Sequence, residues 1–135
     1  MAELEYPIKI YTYDIDYAGH VSNITYIRWL EQGRLYMMEE VGLPTASLIE
    51  RGFMPVLVST QIQYKFPLFL HDIVKAMLWI SELKNASATI EHRIYNGDGK
   101  LCSEATQRGA FISAKTHKPY KLRSEERNLF ERFLL

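Results

Sequence analysis

The rhythm of hydrophobic and polar residues changes several times along this chain, and each change marks an element. Residues 6–13 (YPIKIYTY) alternate and are rich in β-branched and aromatic types, which predicts a first strand. The next ten residues, with Asp14, Asp16, Gly19 and Asn23, have loop composition. Over 24–41 the spacing becomes helical: Tyr26, Ile27, Leu30, Met37, Met38 and Val41 fall at intervals of three, four and seven. Ser22 and Asn23 both suit the N-cap, and Gly42-Leu43-Pro44 is a stop signal.

Residues 45–53 predict a short helical turn ending at Gly52. Four runs of strand character follow, at 55–66, 72–84, 87–96 and 100–115. Pro67 and the 68–71 stretch separate the first two, and Asn96-Gly97-Asp98-Gly99 is a hairpin signal between the last two. Ser124 with Glu125 and Glu126 opens a final helix whose Leu129, Phe130, Phe133 and Leu134 need a surface to cover. The class is α+β: one long helix against an antiparallel sheet. A single helix cannot cover both faces of such a sheet. Trp79, Ile80, Ile90, Phe111 and Ile112 place apolar side chains on both parities, which favours a homo-oligomer.

At 135 residues the expectation is a single domain over 1–135. Sixteen basic residues balance sixteen acidic ones, so no net field points to nucleic acid or an anionic membrane. The single Cys102 has no disulfide or metal-site partner, and no run is long and apolar enough to span a bilayer. The opening MAELEYPIKI lacks the positive and apolar regions of a signal peptide, so a reduced, cytoplasmic setting is expected.

The chemistry concentrates in Tyr13–Asn23, YDIDYAGHVSN. It places Asp16, His20 and Asn23 immediately before the long helix, whose first turn presents unpaired N–H groups and the positive end of the macrodipole. A carboxylate and an imidazole beside such donors are parts for attacking a carbonyl.

Here the chain resembles the hot-dog-fold acyl-CoA thioesterases of the 4-hydroxybenzoyl-CoA thioesterase type. The match begins with Asp14-x-Asp16-x-x-Gly19-His20-Val21-x-Asn23-x-x-Tyr26 and continues through Glu31 and Arg34 on the helix. Tyr64-Lys65-Phe66-Pro67 with Asp72, then Lys118-Pro119 ahead of Leu122, complete it over roughly residues 6–122. Two positions depart from the pattern. Gly33 stands where Ala is usual, at a cost of about 1 kcal/mol of helix propensity but allowing close backbone approach to the sheet. No proline follows Leu122.

The resemblance implies a five-stranded antiparallel sheet wrapped around one central helix, with subunits joined edge to edge as dimers that can stack into a homotetramer. It implies hydrolysis of an acyl-CoA or acyl carrier protein thioester with no cofactor or metal. Asp16 would act as general base or nucleophile, and N–H groups near Asn23 as the oxyanion site. His20, Asn23, Tyr26 and Glu31 are the candidate substrate-binding residues.

Each has a structural alternative. Asp16 can organise a turn, His20 can hold the loop, and Asn23 can serve as a cap. Glu31 can pair with Arg28 or Arg34, and the Tyr26, Trp29, Tyr36, Met37, Met38 stripe can be core or acyl pocket. Asp14 is expected to anchor the loop. Lys84, Arg108, Lys115, Lys118 and Lys121 are either phosphate contacts or solvated surface. The alternative function is a non-hydrolytic binding module of the same fold. A hydratase needs a His and an acid in a different helix motif, which is not found here.

Overall fold

The longest helix starts where Ser22 turns its hydroxyl back on the chain. In the computed structural model, which describes residues 2–135, Ser22 Oγ accepts the Ile24 N–H at 3.2 Å and caps α1 (Asn23–Glu40). One stripe of α1, formed by Tyr26, Trp29, Leu30, Met37 and Met38, is buried. The chain then turns through Gly42 into α2 (Thr45–Arg51), which ends at Gly52 with φ 84°, a conformation glycine adopts without steric cost.

Five strands form one antiparallel sheet: β1 (Leu4–Tyr6), β2 (Phe53–Tyr64), β3 (Lys75–Leu83), β4 (Ser87–Tyr95) and β5 (Leu101–Ser113). Their order across the sheet is β1-β3-β4-β5-β2. The hairpin at Asn96–Gly99 forms as expected, with Asn96 Oδ1 accepting the N–H groups of Asp98 and Lys100 at 3.0 Å each.

The first strand is the main correction. It covers only Leu4–Tyr6 instead of 6–13, because Pro7 has no N–H to continue the ladder with β3. The chain beyond it makes a single 3-10 turn, Thr12–Asp14, where the Asp14 Oδ2 accepts the Tyr11 N–H at 2.8 Å. Local side-chain bonding there outcompetes the alternating pattern.

Inward-facing Ala76, Leu78, Ile80, Ile90, Ile94, Ala105 and Phe111 meet the buried stripe of α1. At Gly33 the helix comes so close that an added Cβ would lie 2.6 Å from Tyr6 Cζ and 2.9 Å from Leu78 Cδ2. The close approach expected of this glycine is therefore present. The last helix, α3 (Ser124–Glu131), buries Phe130, and Phe133 just beyond it is buried as well, while Leu134 stays 38% exposed. Its N-cap is Arg123 and not Ser124. Glu126, itself fully buried, supplies the carboxylate that accepts the Arg123 N–H and the Tyr120 hydroxyl, each at 2.9 Å.

Of the five residues expected to make both sheet faces apolar, Ile80, Ile90 and Phe111 all turn inward. The outer face is mostly polar, carrying Gln61, Gln63, Glu91, Arg93 and Thr106, with the Arg93 guanidinium 5.2 Å from the ring centroid of a half-buried Trp79. Exposed apolar side chains gather elsewhere, on Ile24, Ile27 and Leu35 of α1 and on Leu57 and Val58 of β2. β2 pairs with β5 on one side only, so its other edge is open. Among the described residues no helix is long and apolar enough to cross a membrane.

Candidate active site

Loop 14–22 is closed on itself by backbone bonds. Ile15 and Val21 form an antiparallel bridge, the Asp16 N–H donates to the His20 carbonyl at 2.9 Å, and the Ser22 N–H donates to the Asp14 carbonyl at 2.8 Å. Asp14 is 5% exposed and holds Tyr11 through its carboxylate, which fits the anchoring role expected of it. At the tip, Asp16 to Gly19 make a tight turn in which the Gly19 N–H reaches the Asp16 carbonyl at 3.0 Å. Gly19 takes φ 82° there.

The Asp16 carboxylate is half-buried. Its Oδ1 accepts the Ala18 N–H at 2.9 Å, the Asx turn that a structural aspartate makes. Among the described residues, its second oxygen accepts no hydrogen bond, so it remains open to water or substrate. The turn therefore occupies only one of the two carboxylate oxygens.

His20 is half-buried with its ring edge-on to Phe69, centroids 5.1 Å apart. Phe69 is fixed in turn by Asp72, whose Oδ2 accepts the Phe69 N–H at 2.8 Å. Asn23 is exposed, and its carbonyl accepts the Tyr64 hydroxyl at 3.3 Å, tying the far end of β2 to the helix start. In the first turn of α1 the Ile24 N–H is taken by Ser22 Oγ, and those of Thr25 and Tyr26 by the Ser22 carbonyl. The Asn23 N–H has no such partner among the described residues, which leaves it as the free donor at the positive helix end.

Tyr26 is 3% exposed, packed edge-on against Trp29 and Tyr64 with both centroid distances 5.3 Å. Burial pushes its phenol well above the usual tyrosine range, so it stays protonated. Glu31 is exposed, eight residues on from Asn23 and so about 12 Å along the helix. The expected ion pair with Arg34 or Arg28 is not formed within 4 Å, because Arg34 turns inward.

Arg34 leads to a feature that sequence reading missed. Its Nη1 donates to Gln107 Oε1 at 2.7 Å; His92 Nε2 lies 2.9 Å from the same oxygen, and Gln107 Nε2 donates to Thr60 Oγ1 at 3.0 Å. Gln107 and His92 are each 1% exposed. Burial holds the His92 pKa down to about 3, so the ring is neutral, and its Nδ1 has no partner. The signal in the sequence was polar residues at inward parity on two strands.

Beside this network lies a cavity of about 570 Å³ between α1, α2 and the sheet. Met38, Leu48, Phe53, Ile80, Phe111 and Phe130 line its interior, and Leu35, Ile49 and Leu57 its exposed side. The cavity wall from the expected helix stripe is Met37 and Met38, whereas Tyr26, Trp29 and Tyr36 lie elsewhere. Among the described residues no group of three or more His, Cys, Asp or Glu side chains is placed to hold a metal ion.

A family model described as thioesterase-like superfamily matches residues 10–129. The chain belongs to that superfamily. It is 25% identical over 116 residues to YneP of Bacillus subtilis, covering 86% of this chain and 84% of that protein. It is 25% identical over 126 residues to YbgC of Haemophilus influenzae, named an acyl-CoA thioesterase, covering 93% and 92%. Among solved structures, a 1,4-dihydroxy-2-naphthoyl-CoA thioesterase from Synechocystis superposes with a TM-score of 0.86 over 96% of both chains at 18% identity. The hot-dog architecture of the superfamily is thus the fold of this chain, with α1 as its central helix.

Proposed function

We propose that this protein hydrolyses acyl thioesters, with coenzyme A or an acyl carrier protein as the thiol. One observation carries the reading. The Asp16 carboxylate keeps an oxygen free in the same loop that delivers the free Asn23 N–H at the start of α1. A thioester carbonyl is electrophilic because sulfur donates poorly into it, so one carboxylate and one good oxyanion site suffice.

In the general-base form, Asp16 takes a proton from water as the water oxygen bonds to the carbonyl carbon. The oxyanion forms against the Asn23 N–H, the carbon–sulfur bond then breaks, and the thiolate leaves as thiol after taking a proton. In the nucleophilic form, the carboxylate adds to the carbonyl carbon, the carbon–sulfur bond breaks to expel the thiolate, and water then hydrolyses the mixed anhydride to the free acid and the Asp16 carboxylate. Single-turnover hydrolysis in isotopically labelled water separates the two, since only the second carries oxygen through the protein.

Two copies would complete the site. Tyr64 ties the helix start to the C-terminal end of β2, while Phe53–Leu57 at the N-terminal end line the cavity. Antiparallel pairing of two open β2 edges about their middle brings one copy's Asp16 loop beside the other copy's cavity. The exposed Ile24, Ile27, Leu57 and Val58 become the apolar contact.

The test is thiol release from a panel of aliphatic and aromatic acyl-CoAs by the parent and by Asp16→Asn. Asparagine keeps an acceptor for the Ala18 N–H, so the turn survives while the base is lost. The expected loss in turnover is 10²- to 10⁴-fold. Saturable binding without thiol release would move the reading to a binding module. Full activity in Asp16→Asn would remove the mechanism.

A further inference from the structure

We propose that the 570 Å³ cavity is the acyl-chain site and that it selects a saturated aliphatic chain of medium length, a substrate class deeper than the thioesterase reading on which it rests. The volume lies within the range of small-molecule sites. The void arises from side-chain size in one register pair. Ala88 on β4 stands opposite Gly109 on β5, and neither fills the space beneath α1 and α2.

The cavity has a direction. Its exposed wall is formed by Leu57 on the β2 edge with Leu35 of α1 and Ile49 of α2, which are 47%, 45% and 79% exposed. Its closed end is Ile80 and Phe130, at 0% and 2%. Between them it crosses from β2 past β5 and β4 to β3, three strand spacings or about 14 Å. An extended hydrocarbon of about twelve carbons, some eleven bonds at roughly 1.25 Å advance each, spans that length.

Its chemistry is equally one-sided. The closed end presents carbon only. The polar side chains in the wall are Glu31, Arg34, Thr45 and Gln107, and Arg34 and Gln107 are already bonded to each other. A ring hydroxyl carried past these groups to the Ile80 and Phe130 end would be buried without a partner, whereas methylene groups lose nothing there. The geometry therefore favours octanoyl to dodecanoyl chains over butanoyl, benzoyl and 4-hydroxybenzoyl groups.

The test has two arms on the full-length protein. The first measures thiol release from butanoyl-, octanoyl-, dodecanoyl-, palmitoyl-, benzoyl- and 4-hydroxybenzoyl-CoA by the parent, Ala88→Val and Ala88→Leu. The second measures binding of a fluorescent fatty acid, displaced by dodecanoate, with thermal melting to confirm folding. The expected result is an optimum between octanoyl and dodecanoyl in the parent. In Ala88→Leu the dodecanoyl-to-butanoyl rate ratio should fall at least tenfold and fatty-acid binding weaken in step, with Ala88→Val intermediate.

Preference for the aromatic substrates, or a chain-length profile unmoved in folded Ala88→Val and Ala88→Leu, overturns the acyl-site proposal and leaves the hydrolase reading standing. Fatty-acid binding that Ala88→Leu abolishes, without thiol release from any substrate, supports the site and overturns the hydrolase reading. Absence of both overturns both.

Discussion

Gly33 and Tyr6 touch so closely that a single methyl group cannot be added between them: a Cβ at Gly33 would sit 2.6 Å from Tyr6 Cζ. Tyr6 is 2% exposed and cannot swing into solvent. Gly33→Ala would gain about 1 kcal/mol of helix propensity yet incur an overpacking cost of about 1–3 kcal/mol. The expected outcome is net destabilisation of about 1 kcal/mol by urea unfolding. Adding Tyr6→Leu removes the two nearest contacts and leaves only Leu78 Cδ2 at 2.9 Å, so Gly33→Ala should cost less in that background than in the parent.

Gln107 carries the polar centre under α1. Gln107→Leu leaves the Arg34 guanidinium and the His92 N–H without their shared acceptor. Unmet buried donors cost about 1–3 kcal/mol each, so a loss of roughly 3 kcal/mol is expected in chemical denaturation. Gln107→Glu tests the same site with opposite sign for Arg34. It restores an acceptor and should recover part of the loss.

His92 sets a pH dependence whose sign follows from its burial. The folded pKa is about 3 and the unfolded value about 6.5, so the unfolded chain binds the extra proton between those limits. Its neutral form is fully compatible with folding above pH 6.5, and stability falls as pH drops from there toward 3. The contribution is of order a few kcal/mol across that window. Comparing the parent with His92→Gln at pH 7 and at pH 4.5 isolates it from the carboxylates. The parent should lose more stability on acidification than the variant.

The open β2 edge is the expected meeting place of two copies. Val58 is 64% exposed there, beside the bulge between Leu57 and Ser59. Val58→Lys places a charge on that edge, a device that discourages strand pairing. Sedimentation should find the parent as a dimer or larger and Val58→Lys shifted to monomer, with thiol release falling in parallel. A monomer that hydrolyses at the parental rate would show that one chain holds a complete site.

Much of this was legible in the chain because the causes are local. The start of α1 and the Asn96–Gly99 turn follow from side chains bonding their own backbone within a few residues, and the Gly52 stop from a left-handed φ of 84° that glycine adopts freely. The turn in the Asp14–Asn23 loop was legible for the same reason, since Asp16 bonds Ala18 two residues away. The first strand misread because alternation in 6–13 says nothing of whether a partner's ladder can be reached past Pro7.

The sequence by itself determined the elements other than the first strand, the tight turn at Asp16 and the single glycine that lets α1 approach the sheet. Those depend on spacings of one to four residues or on the size of one side chain. Only the tertiary structure decided that Arg34 abandons Glu31 for Gln107, 73 positions away, and that Ala88 faces Gly109 to leave a cavity. Strand order and register set those meetings, and register is fixed by the packing of the whole sheet against α1 rather than by any short stretch of chain.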